Sequence, residues 1–600
     1  MKICFNSYDT RHKSPFGTLT PLAPCRIALF DADREACAAT LVMHNETGFY
    51  MELPLRKEKD GFCNTFYLFE TGLYFYHFRV SCGNEPVQIY RSGRDTCAES
   101  GCEWEISCCN SAGKAWKEWA GRPMYQIFPD RFAKAGECDL RDKLRPFTVH
   151  EDVREVPALC ADPQGNWNTD FYGGNLQGIR SKLPYLKELG MEILYLNPIF
   201  MAHSNHRYDT ADYLRVDPML GNDADFRELC NAAHELGMRI LLDGVFSHTG
   251  SNSVYFDEKK IFGHGVCSDP ESPYRSWYSF SGDGQYDCWW GIKTLPCVKE
   301  MEESYLSFLL EGEGSVVAHW LRAGADGFRL DVADELPDAF LERFHAAVKA
   351  IKPDALILGE VWEDASDKIS YGVRRRYFTS RELDSVMNYP YRSAIIDFVK
   401  GDDSARGTAD RILEIASHYP EHALHCSMVP LSTHDTVRIL SLMGPHFSGS
   451  RQEKAAHCLT GPDYLEAVQK LRTALFLQFM LPGIPCVYYG DEAGMQGWED
   501  PLNRRFFDWE HIDRNLHDYV ASLAKLRGET AVLRTGMIRL ISDEGNRIVM
   551  EREGDFSLRF AVNMDEEPMS VPHRQILFSE NCDQSNPALV YKYGGICYLP

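Results

Sequence analysis

The stretch NDADFRELCNAAHELGMRILLDGVFSH (222–248) contains one complete helix-to-strand unit. Apolar residues recur at helical spacing from Phe226 onward, and Gly237 stands where such a helix would end. The apolar run 239–242 follows directly and finishes on Asp243. A helix followed at once by a buried strand predicts the alternating architecture of an α/β protein.

The same unit recurs along the chain on both sides of this stretch. LPYLKELGMEILYLNPIF (183–200) and VVAHWLRAGADGFRLDVADE (316–335) repeat it, and PDALILGEVW (353–362) supplies another buried strand. Four further strands are predicted in MYQIFPDRF (124–132), DSVMNYP (384–390), CSMVPLSTHD (426–435) and PCVYYGDE (485–492). Eight strands separated by helical connections predict a (β/α)8 TIM barrel over residues 119–527.

The regions on either side of the barrel have a different pattern. Residues 1–118 contain short runs of aromatic and β-branched residues separated by turn signals, which predicts an N-terminal β-sandwich. Residues 528–600 indicate hairpins with Gly-Asn and Gly-Asp turns and predict a C-terminal antiparallel β domain. Residues 249–300 are too many for a simple loop after the third barrel strand and predict a small inserted subdomain rich in aromatic residues.

Composition and charge exclude several classes of function. The 600 residues include 63 Lys and Arg against 87 Asp and Glu, and the net charge of −24 argues against a nucleic-acid partner or an anionic membrane surface. No export signal follows the N-terminal Met-Lys, and the apolar stretch 474–489 is too short to cross a bilayer. We therefore expect a cytoplasmic protein whose 20 cysteines are reduced.

A zinc site was the alternative interpretation of the cysteines. Cys97, Cys102, Cys108 and Cys109 lie close together in the sequence. Their spacing matches no paired C-x-x-C pattern, so we expect no metal ligands among them.

Polar residues concentrate where the predicted barrel strands end, which is where active sites form in this fold. Each one alone has an ordinary structural explanation as a helix cap, an ion pair or a buried histidine. Four acids, two histidines and an arginine at one barrel mouth instead indicate a functional site. The strand-end residues are Asn197, Asp243, His248, Arg329, Asp331, Glu360, His434 and Asp435.

The chemistry that this set favours is cleavage of glycosidic bonds. Such cleavage uses one carboxylate as nucleophile or base and a second carboxyl group as proton donor. The sequence has no phosphate-binding GxxxxGK[ST] loop, no HExxH and no GxSxG, which weakens the alternative phosphoryl-transfer, metalloprotease and serine-hydrolase interpretations.

The same segments resemble the conserved regions of the α-amylase superfamily. DGVFSH (243–248), GFRLDVADE (327–335), GEVW (359–362) and STHD (432–435) are similar to its four signature regions. Supporting matches are YQIFPDRF (125–132), FYGGNLQGI (171–179), NHRYDTADY (205–213), VMNYP (386–390) and GIPCVYYGDE (483–492). VMNYP and the VADE ending most resemble the neopullulanase, cyclomaltodextrinase and maltogenic amylase branch. In that branch the N-terminal domain resembles a starch-binding module and contributes to a homodimer.

The resemblance implies a role for each matching residue. Asp331 would be the nucleophile, Glu360 the general acid/base and Asp435 the transition-state stabiliser, in a double displacement that retains configuration. Tyr208 matches an aromatic platform, and Glu335 and Trp362 would face the acceptor side. The implied substrate-binding residues are Tyr208, Asp243, His248, Arg329, Glu335, Trp362 and His434.

Departures from the branch pattern affect specificity and metal binding. Asp334 stands where the branch usually has asparagine, which leaves the balance of hydrolysis and transglycosylation open. Asn175 replaces an aspartate, and the loop AKAGECDL (133–140) lacks the usual Asn/Asp cluster, so we expect no required cofactor and a structural calcium that is bound weakly or is absent. The YNWGYDP segment of true debranching pullulanases is absent from the sequence.

The resulting hypothesis is a retaining α-glucan hydrolase acting on α-1,4 bonds of maltodextrins, cyclodextrins or pullulan, with α-1,6 bonds and transglycosylation left open. Its partners would be α-glucan oligosaccharides and a second copy of the chain. An α-glucanotransferase or α-1,6 debranching enzyme on the same fold is the alternative hypothesis. A catalytically inactive transporter subunit or scaffold is the remote one, because all three acids are present.

Overall fold

A closed barrel of eight parallel strands forms the centre of the molecule. The computed structural model describes residues 2–82, 85–98, 101–282 and 284–600. The barrel strands are β1 (Met124–Ile127), β2 (Ile193–Leu196), β3 (Arg239–Gly244), β4 (Gly327–Leu330), β5 (Leu356–Gly359), β6 (Ser385–Val386), β7 (Met428–Pro430) and β8 (Ile484–Tyr488). Neighbours follow chain order, β8 pairs with β1, and a bridge between Met387 and Met428 joins β6 to β7. The predicted (β/α)8 fold is confirmed.

Helices connect the barrel strands and cover them. Asn222 accepts hydrogen bonds from the backbone N–H groups of Ala224 and Asp225, which starts the helix predicted after β2. The helices are α1 (Pro129–Phe132), α2 (Leu176–Ser181), α3 (Leu183–Glu188), α4 (Asp223–Glu235), α5 (Glu303–Leu310), α6 (Val316–Ala323), α7 (Asp338–Ile351), α8 (Tyr389–Lys400), α9 (Ala405–His418), α10 (Glu421–Cys426), α11 (Ile439–Met443), α12 (Arg451–Ala456), α13 (Gly461–Met480), α14 (Arg514–Glu529) and α15 (Ala531–Thr535).

The bottom of the barrel is closed by the segment that leads into it. Trp119 is buried against Met124, Ile193 and Leu356, which point into the barrel. Its indole Nε1 donates to the backbone carbonyl of Asp354 at 2.7 Å. A closed bottom leaves the opposite mouth, at the carboxyl ends of the strands, as the open end of the barrel.

Two antiparallel sheets precede the barrel and share one core. Along Gly72–Cys82, alternate side chains from Tyr74 to Val80 are buried, which is the period of a half-buried strand. The first sheet contains Ile3–Cys4, Lys13–Ser14, Pro24–Asp31, Arg56–Glu58 and Gly61–Tyr67. The second contains Ala38–His44, Tyr50–Pro54, Gly72–Cys82, Glu85–Ser92, Asp95–Cys97 and Trp104–Cys108. The predicted β-sandwich is present.

A single antiparallel sheet follows the barrel and packs against α13. Phe578 of this sheet stacks on Phe476 of α13, with 5.8 Å between ring centroids. The strands are Met537–Ser542, Arg547–Glu553, Ser557–Asn563, Met569–Ser570, Gln575–Cys582 and Leu589–Leu599. The antiparallel β structure predicted for the C-terminal domain is confirmed.

Loops at the open mouth carry the remaining short elements. Three small ribbons pair Thr148–Val149 with Asp170–Phe171, Phe200–Ala202 with Thr210–Val216, and Ile369–Ser370 with Val373–Arg374. Within residues 249–300, the described part consists of turns with 3-10 segments at Arg275–Trp277 and Trp289–Gly291. None of the helices in the described part of the chain combines the length and hydropathy needed to cross a lipid bilayer.

Candidate active site

The predicted acids meet at the carboxyl ends of neighbouring strands. Asp243 is the penultimate residue of β3, Asp331 directly follows β4, and Glu360 directly follows β5. Asp435 reaches the same place from the loop after β7. An open cleft of about 1070 Å³ exposes Asp331, Glu360 and Asp435. Asp243 is buried beneath them.

Arg329 of β4 contacts three of these carboxylates from below. Its Nη1 donates to Asp243 Oδ1 and to Asp331 Oδ1, both at 2.8 Å. Its Nη2 lies 3.0 Å from Glu360 Oε2. Arg329 and Asp331 are two apart on an extended segment, so their side chains share a face, and parallel pairing places Arg329 opposite Asp243. The guanidinium therefore compensates part of the negative charge that the strand ends bring together.

The Glu360 carboxylate is held at both of its oxygens. Oε2 accepts the backbone N–H of Val332 at 2.8 Å, and Oε1 accepts Trp362 Nε1 at 3.2 Å. The preceding residue, Gly359, is closely packed, because a β-carbon there would lie 2.5 Å from Leu383 Cδ1. Close packing at Gly359 thus sets the position from which Glu360 enters the cleft.

The Tyr208 hydroxyl contacts both His434 and the buried Asp243. The Tyr208 hydroxyl donates to Asp243 Oδ2 at 2.8 Å and lies 2.6 Å from His434 Nε2. Since this hydroxyl has one proton, His434 donates from Nε2, and its Nδ1 accepts Gln126 Nε2 at 2.9 Å. Burial lowers the pKa of His434 well below its usual range, so the ring is neutral. His434 is therefore held in one tautomer, with its only N–H directed at the Tyr208 hydroxyl.

His248 is also a buried histidine at the cleft, and a neighbouring side chain contacts it. Its Nδ1 lies 3.0 Å from Ser247 Oγ, while Nε2 has no hydrogen-bond partner among the described residues and the side chain lines the cleft. Burial lowers its pKa to about 4. A neutral imidazole with an unused nitrogen suits hydrogen bonding to an uncharged hydroxyl-rich ligand.

Asp435 lies between His434 and a cation that sequence reasoning did not identify. His434 Nε2 is 3.2 Å from Asp435 Oδ2, and Arg504 Nη2 is 3.4 Å from Oδ1. Burial, together with repulsion from Glu360, raises the pKa of Asp435 to about 7, although about 32% of the side chain is exposed to solvent. Arg504 comes from the loop after β8, outside every motif that pointed to the site.

The carboxylates of the cluster titrate together. Burial raises the pKa of Asp331, and Glu360 and Asp243 add to the rise, while Arg329 opposes it. Burial likewise raises the pKa of Asp243 against the same guanidinium. With several carboxylates near one arginine, the cluster resists full ionisation. A site in which burial and neighbouring charge favour the protonated form of an acid is suited to general acid catalysis.

Exposed apolar side chains line the rim of the cleft. They come from the loop after β1, from the insertion after β3 and from the loop after β5. The rim residues are Trp167, Trp290, Ile292, Trp362, Ile369 and Tyr371. Of these, sequence analysis identified only Trp362. The aromatic residues within 249–300 differ in solvent exposure: Trp277 and Tyr278 are buried, whereas Trp290 is exposed.

The 3-10 segment Ala333–Glu335 carries two acids into the same rim. Tyr377 donates to Asp334 Oδ1 at 2.6 Å, and Lys368 Nζ lies 3.2 Å from its other oxygen. Glu335 accepts hydrogen bonds from Trp290 and Tyr371. The unusual Asp334 is therefore paired with a lysine.

The side chain considered for calcium binding forms hydrogen bonds within the protein instead. Asn175 caps α2 by accepting the Gly178 N–H at 2.7 Å, and its Nδ2 donates to the Ala135 carbonyl at 2.8 Å. Among the described residues, one group of metal-ligating side chains has its donor atoms close enough to share an ion. That group is Glu105, Asp364 and His418, away from the cleft. It includes none of the 20 cysteines, all of which are free.

Comparison with known proteins identifies related sequences and folds. The family model for the alpha-amylase catalytic domain matches residues 126–296 and 309–537. An amylopullulanase from Thermoanaerobacter thermohydrosulfuricus is 36% identical over 473 residues, which are 71% of this chain and 31% of that protein. This chain thus spans about a third of the length of that relative.

Other relatives have a length closer to that of this chain. A cyclomaltodextrinase from Geobacillus thermopakistaniensis (strain MAS1) is 32% identical over 462 residues, or 75% of this chain and 69% of that protein. The solved cyclic alpha-maltosyl-(1→6)-maltose hydrolase from Arthrobacter globiformis has a TM-score of 0.66 and 26% identity, over 80% of this chain and 99% of the other.

Proposed function

The chain belongs to the alpha-amylase family, and on that premise we propose that it is a retaining α-glucan hydrolase that cleaves α-1,4-glucosidic bonds. The observation that supports this most directly is the contact of Arg329 with Asp243, Asp331 and Glu360 at the floor of an open cleft. The substrates are maltodextrins, cyclodextrins or pullulan, because a rim of exposed aromatics suits the apolar faces of sugar rings.

Asp331 acts as the nucleophile. Arg329 binds its Oδ1 and favours the ionised form, and the carboxylate lies at the surface of the cleft. Attack on the anomeric carbon forms a carboxylate–sugar bond while the bond from that carbon to the leaving oxygen breaks. The product of this first step is a glycosyl-enzyme.

Glu360 acts as general acid and then as general base. It gives its proton to the leaving oxygen as the glycosidic bond breaks, and later takes a proton from the water that attacks the glycosyl-enzyme. The bonds from Val332 and Trp362 fix the carboxyl group during both steps. One group serves both steps because the first leaves it ionised.

The remaining polar residues stabilise the sugar at the reaction centre. Asp435 supports the positive charge of the oxocarbenium-like transition state. Neutral His248 hydrogen bonds to a sugar hydroxyl through its unused nitrogen, and Tyr208, which His434 holds in place, provides an aromatic face. Asp243, buried beneath them, fixes both Tyr208 and Arg329.

No metal takes part in this mechanism. Asn175 uses its side chain for hydrogen bonds to the loop where a calcium ion would need oxygen ligands. Chelation with EDTA is expected to leave the melting temperature and the turnover unchanged.

The N-terminal sandwich is proposed to form a homodimer, for which sedimentation at several protein concentrations is the test.

Chromatography of a pullulan digest tests the bond specificity. Panose as the product supports cleavage of α-1,4 bonds. Maltotriose would instead show cleavage of α-1,6 bonds, the alternative activity on the same fold. Transfer products longer than the substrate would show that the glycosyl-enzyme passes to sugar as well as to water.

Substitution of the nucleophile tests the mechanism. Asp331→Asn should lose nearly all turnover of maltodextrins while it folds normally, as judged by circular dichroism. Asp139→Asn, at an exposed position outside the cleft, is the matched control and should keep full activity. Full activity in Asp331→Asn would refute the assignment.

A further inference from the structure

Two aromatic side chains from different loops of the cleft share one carboxylate. Trp290 Nε1 donates to Glu335 Oε1 at 2.8 Å, and the Tyr371 hydroxyl donates to the same oxygen at 2.9 Å. Trp290 belongs to the insertion after β3, Tyr371 to the ribbon after β5, and Glu335 to the 3-10 segment after β4. We call these three residues the Glu335 bridge, because they connect these loops.

Both rings of the Glu335 bridge remain open to solvent. Trp290 is 78% exposed and Tyr371 is 75% exposed, and both line the cleft. Exposed aromatic surface contributes little to folding, since the favourable term comes from burial. Apolar surface that is held in place at a cleft marks a ligand-binding position.

The backbone at both positions is unusual for such residues. Trp290 has φ 49° and Tyr371 has φ 51°, and each is followed by a glycine at positive φ, Gly291 and Gly372. Two consecutive residues at positive φ define the turn that usually contains Asn-Gly or Asp-Gly. A bulky aromatic residue is strained in this region, and strain at non-glycine positions concentrates at functional sites. Two strained aromatics that meet at one carboxylate point to a shared role.

The Glu335 bridge lies on the side of the cleft where the proton donor acts. Trp362, two residues after Glu360, contacts that carboxylate through Nε1. Ser370, adjacent to Tyr371, donates to the backbone carbonyl of Asp334, adjacent to Glu335. The side of the proton donor is the side on which the leaving sugar departs and on which an acceptor enters.

We propose that Trp290 and Tyr371 bind the glucan on the leaving-group side and thereby select sugar rather than water as the acceptor. Glu335 is a positioning residue that holds both rings. This inference rests on the proposed function, since it assigns the acceptor site of the same glycosyl-enzyme. Removal of either ring reduces transfer to sugar acceptors and leaves formation of the glycosyl-enzyme intact.

α-Maltosyl fluoride separates these two steps, because fluoride leaves without a sugar on the acceptor side. Trp290→Ala and Tyr371→Ala should hydrolyse it alone within about twofold of the wild-type rate. With maltose added, their ratio of transfer to hydrolysis should fall roughly two- to tenfold, the size of one lost aromatic contact. Phe556→Ala, at an exposed aromatic of the C-terminal sheet, is the matched control and should change neither quantity.

Tyr371→Phe distinguishes the ring from its hydrogen bond. It removes the bond to Glu335 and keeps the ring, so it should raise the KM for maltose as acceptor with little change in the maximal transfer rate. A transfer ratio equal to wild type in both alanine variants would overturn this inference while the proposed function stands. No turnover of α-maltosyl fluoride by the wild-type protein would instead refute the proposed function.

Discussion

Val332 donates its backbone N–H to Glu360 at 2.8 Å from a left-handed backbone conformation, with φ 40° and ψ 55°. A β-branched residue is a genuine outlier in this region. The strain costs about 1–3 kcal/mol. This left-handed conformation turns the chain directly after Asp331. The peptide between Asp331 and Val332 thereby links the proposed nucleophile to the proposed proton donor.

Substitution of Val332 by glycine should separate stability from activity. Glycine adopts left-handed conformations without strain, and this gain offsets its greater entropy in the unfolded chain. Val332→Gly should therefore change the free energy of unfolding by less than about 1 kcal/mol. Its kcat should fall, since the freed backbone no longer fixes the N–H on Glu360. Thermal unfolding and maltodextrin kinetics measure the two quantities.

Val361 provides the comparison for this substitution. It follows Glu360 directly and is completely buried in the barrel core. Val361→Gly should cost roughly 2–4 kcal/mol, because it leaves a cavity and gains nothing from relief of strain. Equal destabilisation by the two glycine substitutions would contradict the strain assigned to Val332.

Glu360→Gln should be rescued by a better leaving group. The amide keeps the shape of the side chain but cannot donate the proton that a sugar leaving group needs. Turnover of maltodextrins should drop by about 10²–10⁴-fold, whereas formation of the glycosyl-enzyme from α-maltosyl fluoride should be much less affected. A burst of fluoride, measured with an electrode, reports that first step. Equal losses on both substrates would exclude Glu360 as the proton donor.

The sequence predicted the fold because the barrel repeats one local pattern. Helix spacing, a stop glycine and a short apolar run are all visible within about 25 residues, as in the unit that ends at Asp243. The strand ends then located Asp331, Glu360 and Asp435, since parallel strands bring their carboxyl ends to one edge. Periodicity could not predict the contact of Trp119 with the barrel bottom, because it joins the segment before β1 to the residues before β5.

The rim of the site was harder to predict than its floor. Arg504 reaches Asp435 from the loop after β8, and Trp290 and Tyr371, 81 positions apart in the sequence, both hydrogen bond to Glu335. Loop residues have no periodic pattern, and their contacts depend on how several loops fold over one another. The Trp-Gly and Tyr-Gly pairs were the available signal, because glycine after an aromatic residue allows a tight turn that displays the ring.

The pH dependence of the reaction should change when Glu360 loses its charge. Burial and repulsion from Glu360 raise the pKa of Asp435 to about 7, so Asp435 becomes ionised and supports the transition state only above that pH. Glu360→Gln removes the repulsion, so Asp435 should lose its proton at lower pH. The acid limb of kcat/KM for α-maltosyl fluoride should then lie at lower pH than in the wild type. An acid limb that stays in place, or one that moves to higher pH, would show that the two groups are not coupled.

A buried ion cluster connects the N-terminal sandwich to the loop after β5. His418 Nδ1 lies 2.9 Å from Glu105 of the sandwich and 2.7 Å from Asp364, and Ser366 also donates to Glu105 at 3.0 Å. Burial opposes the charge on the imidazole, but the two carboxylates prevail and raise the pKa of His418 well above its usual value. The same loop carries Tyr371 to the rim, so this cluster holds one wall of the cleft.

Removal of this imidazole should destabilise the protein most at low pH. His418 has a higher pKa in the folded than in the unfolded chain, so its stabilisation is complete below about pH 6.5 and is lost as pH rises through the folded pKa. At pH 6, His418→Gln should lower the free energy of unfolding by about 3 kcal/mol, and the difference from wild type should shrink as pH rises. His319→Gln, which removes a partly exposed pair with Asp223, should cost less than about 1 kcal/mol. Denaturant unfolding across this pH range measures both variants, and a deficit for His418→Gln that grew with pH would contradict a charged imidazole.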